Sequence, residues 1–347
     1  MRTILLFGMV IGCLLGIGDV QAAPKPLVGV SVNVPEGGSA TDLIAAVLTE
    51  RTARAGVLCV SAKWSDLEPQ PGVYVLKPIE DPITSMAPLG FQIAITIQTV
   101  DSNARTMPAD LQDKPFDSPE VRQRFDALLG QIAPKLTDTV RTVSLGNNAD
   151  TYLAAHPQEL EAYAGFVEEG RTHLHALKPA LPVGVTTTFD GLKTRASVLG
   201  RLNRNMDVIP VTYYPMAATF QVRPATDVGP DFDTMTTAAG TKPLLLQEMG
   251  YPADAQFGRS EEKQAGFVNA VFDALQKHQD KIGFVNFFLM YDLGDTLLDT
   301  LLKSATSPDP HFRAFLGSIG LRKKDGTPRQ AWLRFEVRSA AWANQKP

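Results

Sequence analysis

Pro243-Leu244-Leu245-Leu246-Gln247-Glu248-Met249-Gly250-Tyr251-Pro252 is a short apolar run without a helical period, opened by a proline and closed by a Gly-Tyr-Pro turn. Such a run reads as a strand buried on both faces, the kind found in a parallel sheet covered by helices. It delivers one carboxylate, Glu248, at its C-terminal end. In a parallel barrel the C-terminal strand ends and the loops after them are where chemistry is assembled, which makes Glu248 a catalytic candidate. Standing alone, the stretch favours a solvated or ion-paired glutamate, so the surrounding chain has to decide.

Working outward, short apolar runs alternate with longer amphipathic stretches, the pattern of a parallel sheet with crossover helices. The spacing predicts strands over 27–33, 57–61, 91–98, 140–145, 182–188, 206–213, 244–247 and 283–290. Helices are expected between them, including 41–55, 79–89 interrupted by Pro82 and Pro88, and 156–177 opened by His156-Pro157. Two helix starts are written locally: Ser118-Pro119-Glu120 combines a cap, a first-turn proline and an acid, and Ser260 precedes Glu261-Glu262 in front of 260–277. Eight strands with their helices make an α/β chain folded as a single (β/α)8 TIM barrel, with a final helix through Trp332 and Phe335. The polar segment 100–117 is long for a loop in a compact domain, and loops of that size are usually functional.

At 347 residues the length suits one such barrel, and no linker or composition break divides it. Residues 1–23 read as a signal peptide ahead of a barrel over 24–347: Arg2 gives the positive start, 4–17 the apolar run, and Val20-Gln21-Ala22 the small residues of a cleavage site. The expected location is secreted or periplasmic. Val10-Ile11-Gly12-Cys13 also resembles a lipobox, which leaves a membrane-anchored lipoprotein, lipidated at Cys13, as the alternative. After signal removal only Cys59 remains, too few thiols for an internal disulfide or a cysteine-based zinc site. The five histidines fall on predicted helices or their edges, and His173 and His175 do not share a helical face. No metal or other cofactor is expected. A net charge of -4, with 33 basic against 37 acidic residues, gives no field for nucleic acid. A monomer is expected.

The strand ends gather polar and aromatic groups on one rim. Gly146-Asn147-Asn148-Ala149-Asp150 follows the fourth strand, Tyr213-Tyr214-Pro215 ends the sixth, and Phe287-Phe288-Leu289-Met290-Tyr291-Asp292 ends the eighth. Flat rings beside paired donors and acceptors suit sugars, so an oligo- or polysaccharide is the expected partner. For Tyr213 or Phe288 alone, packing in the barrel is the simpler account.

These residues also carry a family resemblance. Ser144-Leu145-Gly146-Asn147-Asn148 resembles the strand-four motif of clan A glycoside hydrolases, in which Gly-Asn-Glu carries the acid/base, and Leu246-Gln247-Glu248-Met249-Gly250 resembles their strand-seven motif, in which the glutamate is the nucleophile. Trp64-Ser65-Asp66-Leu67-Glu68-Pro69, Val211-Thr212-Tyr213-Tyr214-Pro215 and the closing Gly320-Leu321-Arg322 are similar to segments of the endo-galactanase and cellulase group. The resemblance implies retaining hydrolysis of β-linked glycans with Glu248 as nucleophile and Asn147 on the sugar 2-hydroxyl. It also places Trp64, Tyr213, Tyr214, Phe288 and Asp292 along the sugar.

The departure is Asn148, which stands where the clan has its acid/base glutamate, and an amide cannot donate a proton as an acid does. Three readings follow. A substitute acid takes the role, Asp150 first, with Asp66, Asp101 and Asp292 after other strands; or the barrel binds carbohydrate without cleaving it; or function lies elsewhere on the fold.

Overall fold

The computed structural model describes residues 25–216, 222–258, 260–304 and 310–345, so the segment expected to be a signal peptide, with Cys13, lies outside the described residues. The strands are β1 Leu27–Val30, β2 Val57–Lys63, β3 Gln92–Asp101, β4 Val140–Asn147, β5 in two pieces Val183–Gly184 and Thr187–Thr188, β6 Ile209–Tyr213, β7 Leu244–Met249 and β8 Ile282–Phe287. They pair in two parallel arcs. One runs β1-β8-β7-β6 to the second piece of β5, the other β2-β3-β4 to its first piece. Between β1 and β2, Gly56 N–H donates to the Val28 carbonyl at 2.8 Å. Gly29 permits this approach, since a Cβ there would lie 2.1 Å from the Val57 carbonyl oxygen.

The strand expected over 182–188 is thus broken, and Val185-Thr186 turns out of the ladder. The helix expected from His156 begins as a 3-10 turn, Pro157–Glu159, before Leu160–Leu177, and Pro88 confines the second helix to Lys77–Met86 with a 3-10 turn after it. The local start signals hold as read: Ser118 Oγ accepts from Val121 N–H and Ser260 Oγ from Lys263 N–H. Among the described residues no helix is long and apolar enough to cross a membrane.

Inside the ring the side chains stack in levels. Val57, Ala94, Val208, Leu245 and Phe284 fill the end where the strands begin. Above them lies a polar belt. Ser144 and Thr186 hydroxyls meet at 2.7 Å, Thr186 Oγ1 donates to Gln247 Oε1 at 2.7 Å, and Asn286 Nδ2 donates to the Gln247 carbonyl at 2.9 Å and to Ser31 Oγ at 2.8 Å.

Two strands carry extra residues near their C-terminal ends. In β7, Leu246 pairs with Val211 and Val285, yet Glu248 pairs with Thr212 and Met249 with Phe287, so β7 spends one residue more than either neighbour. In β3, Ile97 pairs with Leu145 but Asp101 with Asn147. Such bulges re-aim the side chains that follow them.

Between β1 and the helix Ala40–Thr52 lies a fully buried acid. Glu50 Oε1 accepts from Val30 N–H at 2.7 Å, its Oε2 has no partner, and burial holds its pKa well above the ordinary carboxylate value. The proton is bound more tightly in the folded chain. The stability it gives is therefore complete below the unfolded pKa of about 4.3 and is lost as pH rises through the folded value. Glu50→Gln keeps the acceptor and cannot ionise. It is expected to melt several degrees above the parent near about pH 8 and close to it near about pH 4, followed by circular dichroism; parallel melting curves against pH would refute the assignment.

Candidate active site

The open end of the barrel is built from the tips of β3, β4, β6 and β7. Glu248 is half-buried and its Oε2 accepts from the Tyr214 hydroxyl at 3.2 Å. Burial, then the charge of Asp101, pushes the Glu248 carboxyl up to about 7, while the Tyr214 bond pulls the other way. Tyr214 itself is held in the neutral form, first by burial and then by the charge of Glu248. A carboxyl with this pKa exchanges its proton near neutrality, the range useful for chemistry.

The β4 tip is fixed by close packing. Gly146 has φ +117°, and a Cβ there would lie 2.2 Å from the Tyr163 hydroxyl, so only glycine lets the chain pass. Asn147 is buried. Its Nδ2 donates to Asp101 Oδ1 at 3.1 Å, while its Oδ1 has no hydrogen-bond partner among the described residues. Such an unpaired buried acceptor is costly and suits a ligand hydroxyl, in line with the sugar contact expected of Asn147. Asn148 takes the left-handed conformation, φ 47°. Its Nδ2 donates to Ser102 Oγ at 3.2 Å and its Oδ1 accepts from Thr212 Oγ1 at 2.7 Å.

Asp101 is among the candidate substitute acids, and the sequence places it and Ser102 in a long loop. Instead the chain folds back at once: Val100 and Asp101 pair antiparallel with Arg105 and Ala104, and Ser102, φ 52°, begins the two-residue turn. Arg105 anchors this hairpin through the Tyr152 hydroxyl, the Gln112 and Lys114 carbonyls and Glu159. Asp101 is half-buried, and its Oδ1 also accepts from Ser102 Oγ at 3.2 Å. Among the described residues no lysine, arginine or histidine pairs with Asp101 or Glu248, although both lie at one mouth.

Four of the expected site residues are elsewhere. Asp150 is fully buried behind the β4 tip, accepting from Thr188 N–H and Oγ1 at 2.7 Å each and from Arg195 at 2.8 Å, so it is a pinned structural anion rather than an acid for the site. Trp64 is fully buried among Phe125 and Phe166 with its indole N–H on Glu68, and does not line a sugar groove. Tyr213 points into the helix layer, donating to Asp231 at 2.8 Å, because it alternates with Tyr214. Asp292 is buried against Arg329 and the Gly320 N–H. Phe288 is half-buried at the rim and packs, as Tyr214 does, against the cluster that holds Leu289 and Phe315. The histidines keep to the periphery, as with His278 on Asp233 at 2.6 Å.

No protein-family model matches the chain, and no curated protein matches its sequence. Solved structures do share its fold. A GH5_18 glycoside hydrolase from Streptomyces cattleya, in complex with Manβ1-4GlcNAc, superposes with a TM-score of 0.74 at 16% identity, over 93% of this chain and 82% of that one. An exo-β-1,4-mannosidase from an Opitutaceae bacterium gives 0.71 at 14% identity, over 91% and 59%. A β-galactosidase from Rahnella gives 0.62 at 17% identity, over 93% and 56%. These likenesses show the (β/α)8 fold of the clan A glycoside hydrolases.

The pinned Asp150 yields a direct check. Asp150→Ala leaves Arg195 and two Thr188 donors without their anion, and is expected to cost about 3 kcal/mol in urea unfolding, moderated by the partial exposure of Arg195. Unfolding of Asp150→Ala at the parent's urea midpoint would overturn this anchoring role.

Proposed function

We propose that this protein is an exported glycoside hydrolase acting on β-linked glycans with retention of configuration, Glu248 being the nucleophile. The observation that carries the reading is the Tyr214–Glu248 pair at the open end of a barrel with this fold. Ionised Glu248 attacks the anomeric carbon, the glycosidic oxygen leaves, and the covalent glycosyl-enzyme is then hydrolysed. Tyr214 holds the attacking oxygen in place, and Asn147 Oδ1 is free to take a sugar hydroxyl. Manβ1-4GlcNAc, bound by the Streptomyces cattleya neighbour, is the first disaccharide to offer.

Asn148 favours a second reading, carbohydrate binding without turnover, because its amide is tethered on both sides and donates no proton to a leaving group. Hydrolysis assays and binding calorimetry on one panel of β-glycans and activated aryl β-glycosides separate the two. Turnover that falls by about 10³-fold or more in Glu248→Gln supports the hydrolase. Binding with no turnover on any substrate supports the second reading.

The pH dependence adds an independent check. On activated aryl β-glycosides, whose leaving group needs no acid, kcat/KM is expected to rise with pH through about 7, because Glu248 attacks only when ionised. Tyr214→Phe removes the hydrogen bond that favours the anion, and the rising limb is expected to move to higher pH. A limb that stays in place or moves down would exclude Glu248 as the group responsible.

A further inference from the structure

We propose that Asp101 supplies the second carboxyl group of this site, acting as the proton donor and acceptor that Asn148 does not provide. The inference rests on the hydrolase reading above. Of the acids that follow strands, Asp150 and Asp292 are buried on arginines, and Asp66 stands exposed on the short helix Trp64–Leu67. Asp101 differs from all three. It is partly open to solvent, has neutral hydrogen-bond donors, and is paired in register with Asn147, one residue from the amide it replaces in function.

Its position is fixed as a reacting group requires. The extra residues in β3 carry Asp101 level with the β4 tip, the antiparallel turn directly behind it limits its movement, and Ser102 N–H closes the junction on the Asn147 carbonyl at 3.1 Å. Ser102 then links the two sides, its hydroxyl donating to Asp101 and accepting from the Asn148 amide. The charge of Asp101 reaches Glu248, where it favours the protonated carboxyl. Two carboxyl groups thus face one mouth, and among the described residues no lysine, arginine or histidine pairs with either.

In the productive form Asp101 serves as the acid and Glu248 as the attacking carboxylate. Glu248 forms a bond to the anomeric carbon as the glycosidic C–O bond breaks. The electron pair goes to the leaving oxygen, which takes the Asp101 proton and departs as an alcohol. In the second step Asp101 takes a proton from water, whose oxygen attacks the anomeric carbon and releases Glu248 as carboxylate. The sum is one glycoside and one water giving one sugar and one alcohol.

The test compares parent, Asp101→Asn, Asp101→Glu and Glu248→Gln on dinitrophenyl β-glycosides and on unactivated β-glycans, with and without azide, after circular dichroism confirms folding. Asp101→Asn is expected to lose about 10²–10⁴-fold on unactivated glycans and much less on the dinitrophenyl substrate, whose leaving group needs no proton. Azide, which attacks without a base, is expected to restore turnover of the activated substrate and yield the β-glycosyl azide. Asp101→Glu is expected to recover part of the loss on glycans. Glu248→Gln is expected to lose both substrates with no such rescue. Equal losses on both substrates with no azide product, or no loss at all, would overturn the role of Asp101 while leaving Glu248 as nucleophile. A parent silent on both substrates would overturn the hydrolase reading and this inference together.

Discussion

The belt of uncharged side chains across the inside of the barrel is the constraint on which the site depends. Ser144, Thr186, Gln247, Asn286 and Ser31 join β4, β5, β7, β8 and β1 through hydrogen bonds of 2.7 to 2.9 Å. Buried polar groups of this kind stabilise only when paired, so their pairing fixes which strand lies at which height. Gln247 must face inward to join the belt. A regular strand would then turn Glu248 outward toward the helices, and the extra residue in β7 prevents this, leaving both side chains on the inner side.

The second determinant is electrostatic. The chain surrounds most of its buried acids with cations or N–H groups: Asp150 has Arg195, Asp292 has Arg329, and Asp231 has Arg223. At the mouth it does the opposite. Among the described residues, Asp101 and Glu248 take hydrogen bonds from hydroxyl and amide donors and pair with no cation. An uncompensated pair of this sort disfavours double ionisation and is tolerated where the partial exposure of both groups limits the cost. Burial first, and then the charge of Asp101, leave Glu248 able to give or take a proton near neutrality.

Much of the fold could be read in the residues because it is local. A serine before a helix caps it wherever the helix sits, and Ser118 and Ser260 do so. The apolar run before Glu248 is a strand in any parallel sheet, and Glu248, Asn147, Asn148 and Tyr214 do come to one end of it. What was not legible depends on partners far along the chain. Asp150 is disarmed by Arg195, 45 positions away, and nothing beside it in sequence announces that partner. Tyr213 and Tyr214 are adjacent and chemically alike, and only strand alternation decides that one enters the helix layer and the other reaches Glu248. Trp64 follows a strand, yet the short helix it begins turns it among phenylalanines. Asp101 was one of several acids in strand-end loops, and its place at the mouth required a register shift that no spacing rule encodes.

The tethered amide of Asn148 bears on how this chain could change. Its N–H group is engaged by Ser102 and its oxygen by Thr212, so the side chain is committed on both faces. A glutamate at the same position has no N–H to offer Ser102 and would bring a third carboxyl group to a mouth where, among the described residues, no lysine, arginine or histidine pairs with Asp101 or Glu248. Such a substitution is conditional on its surroundings, and the order of changes matters. A route to a two-glutamate barrel passes more easily through loss of the carboxyl group at position 101 before position 148 gains one, so each intermediate along it carries no more than two acids. The present residue is in that sense entrenched, held by its neighbours rather than by its own chemistry.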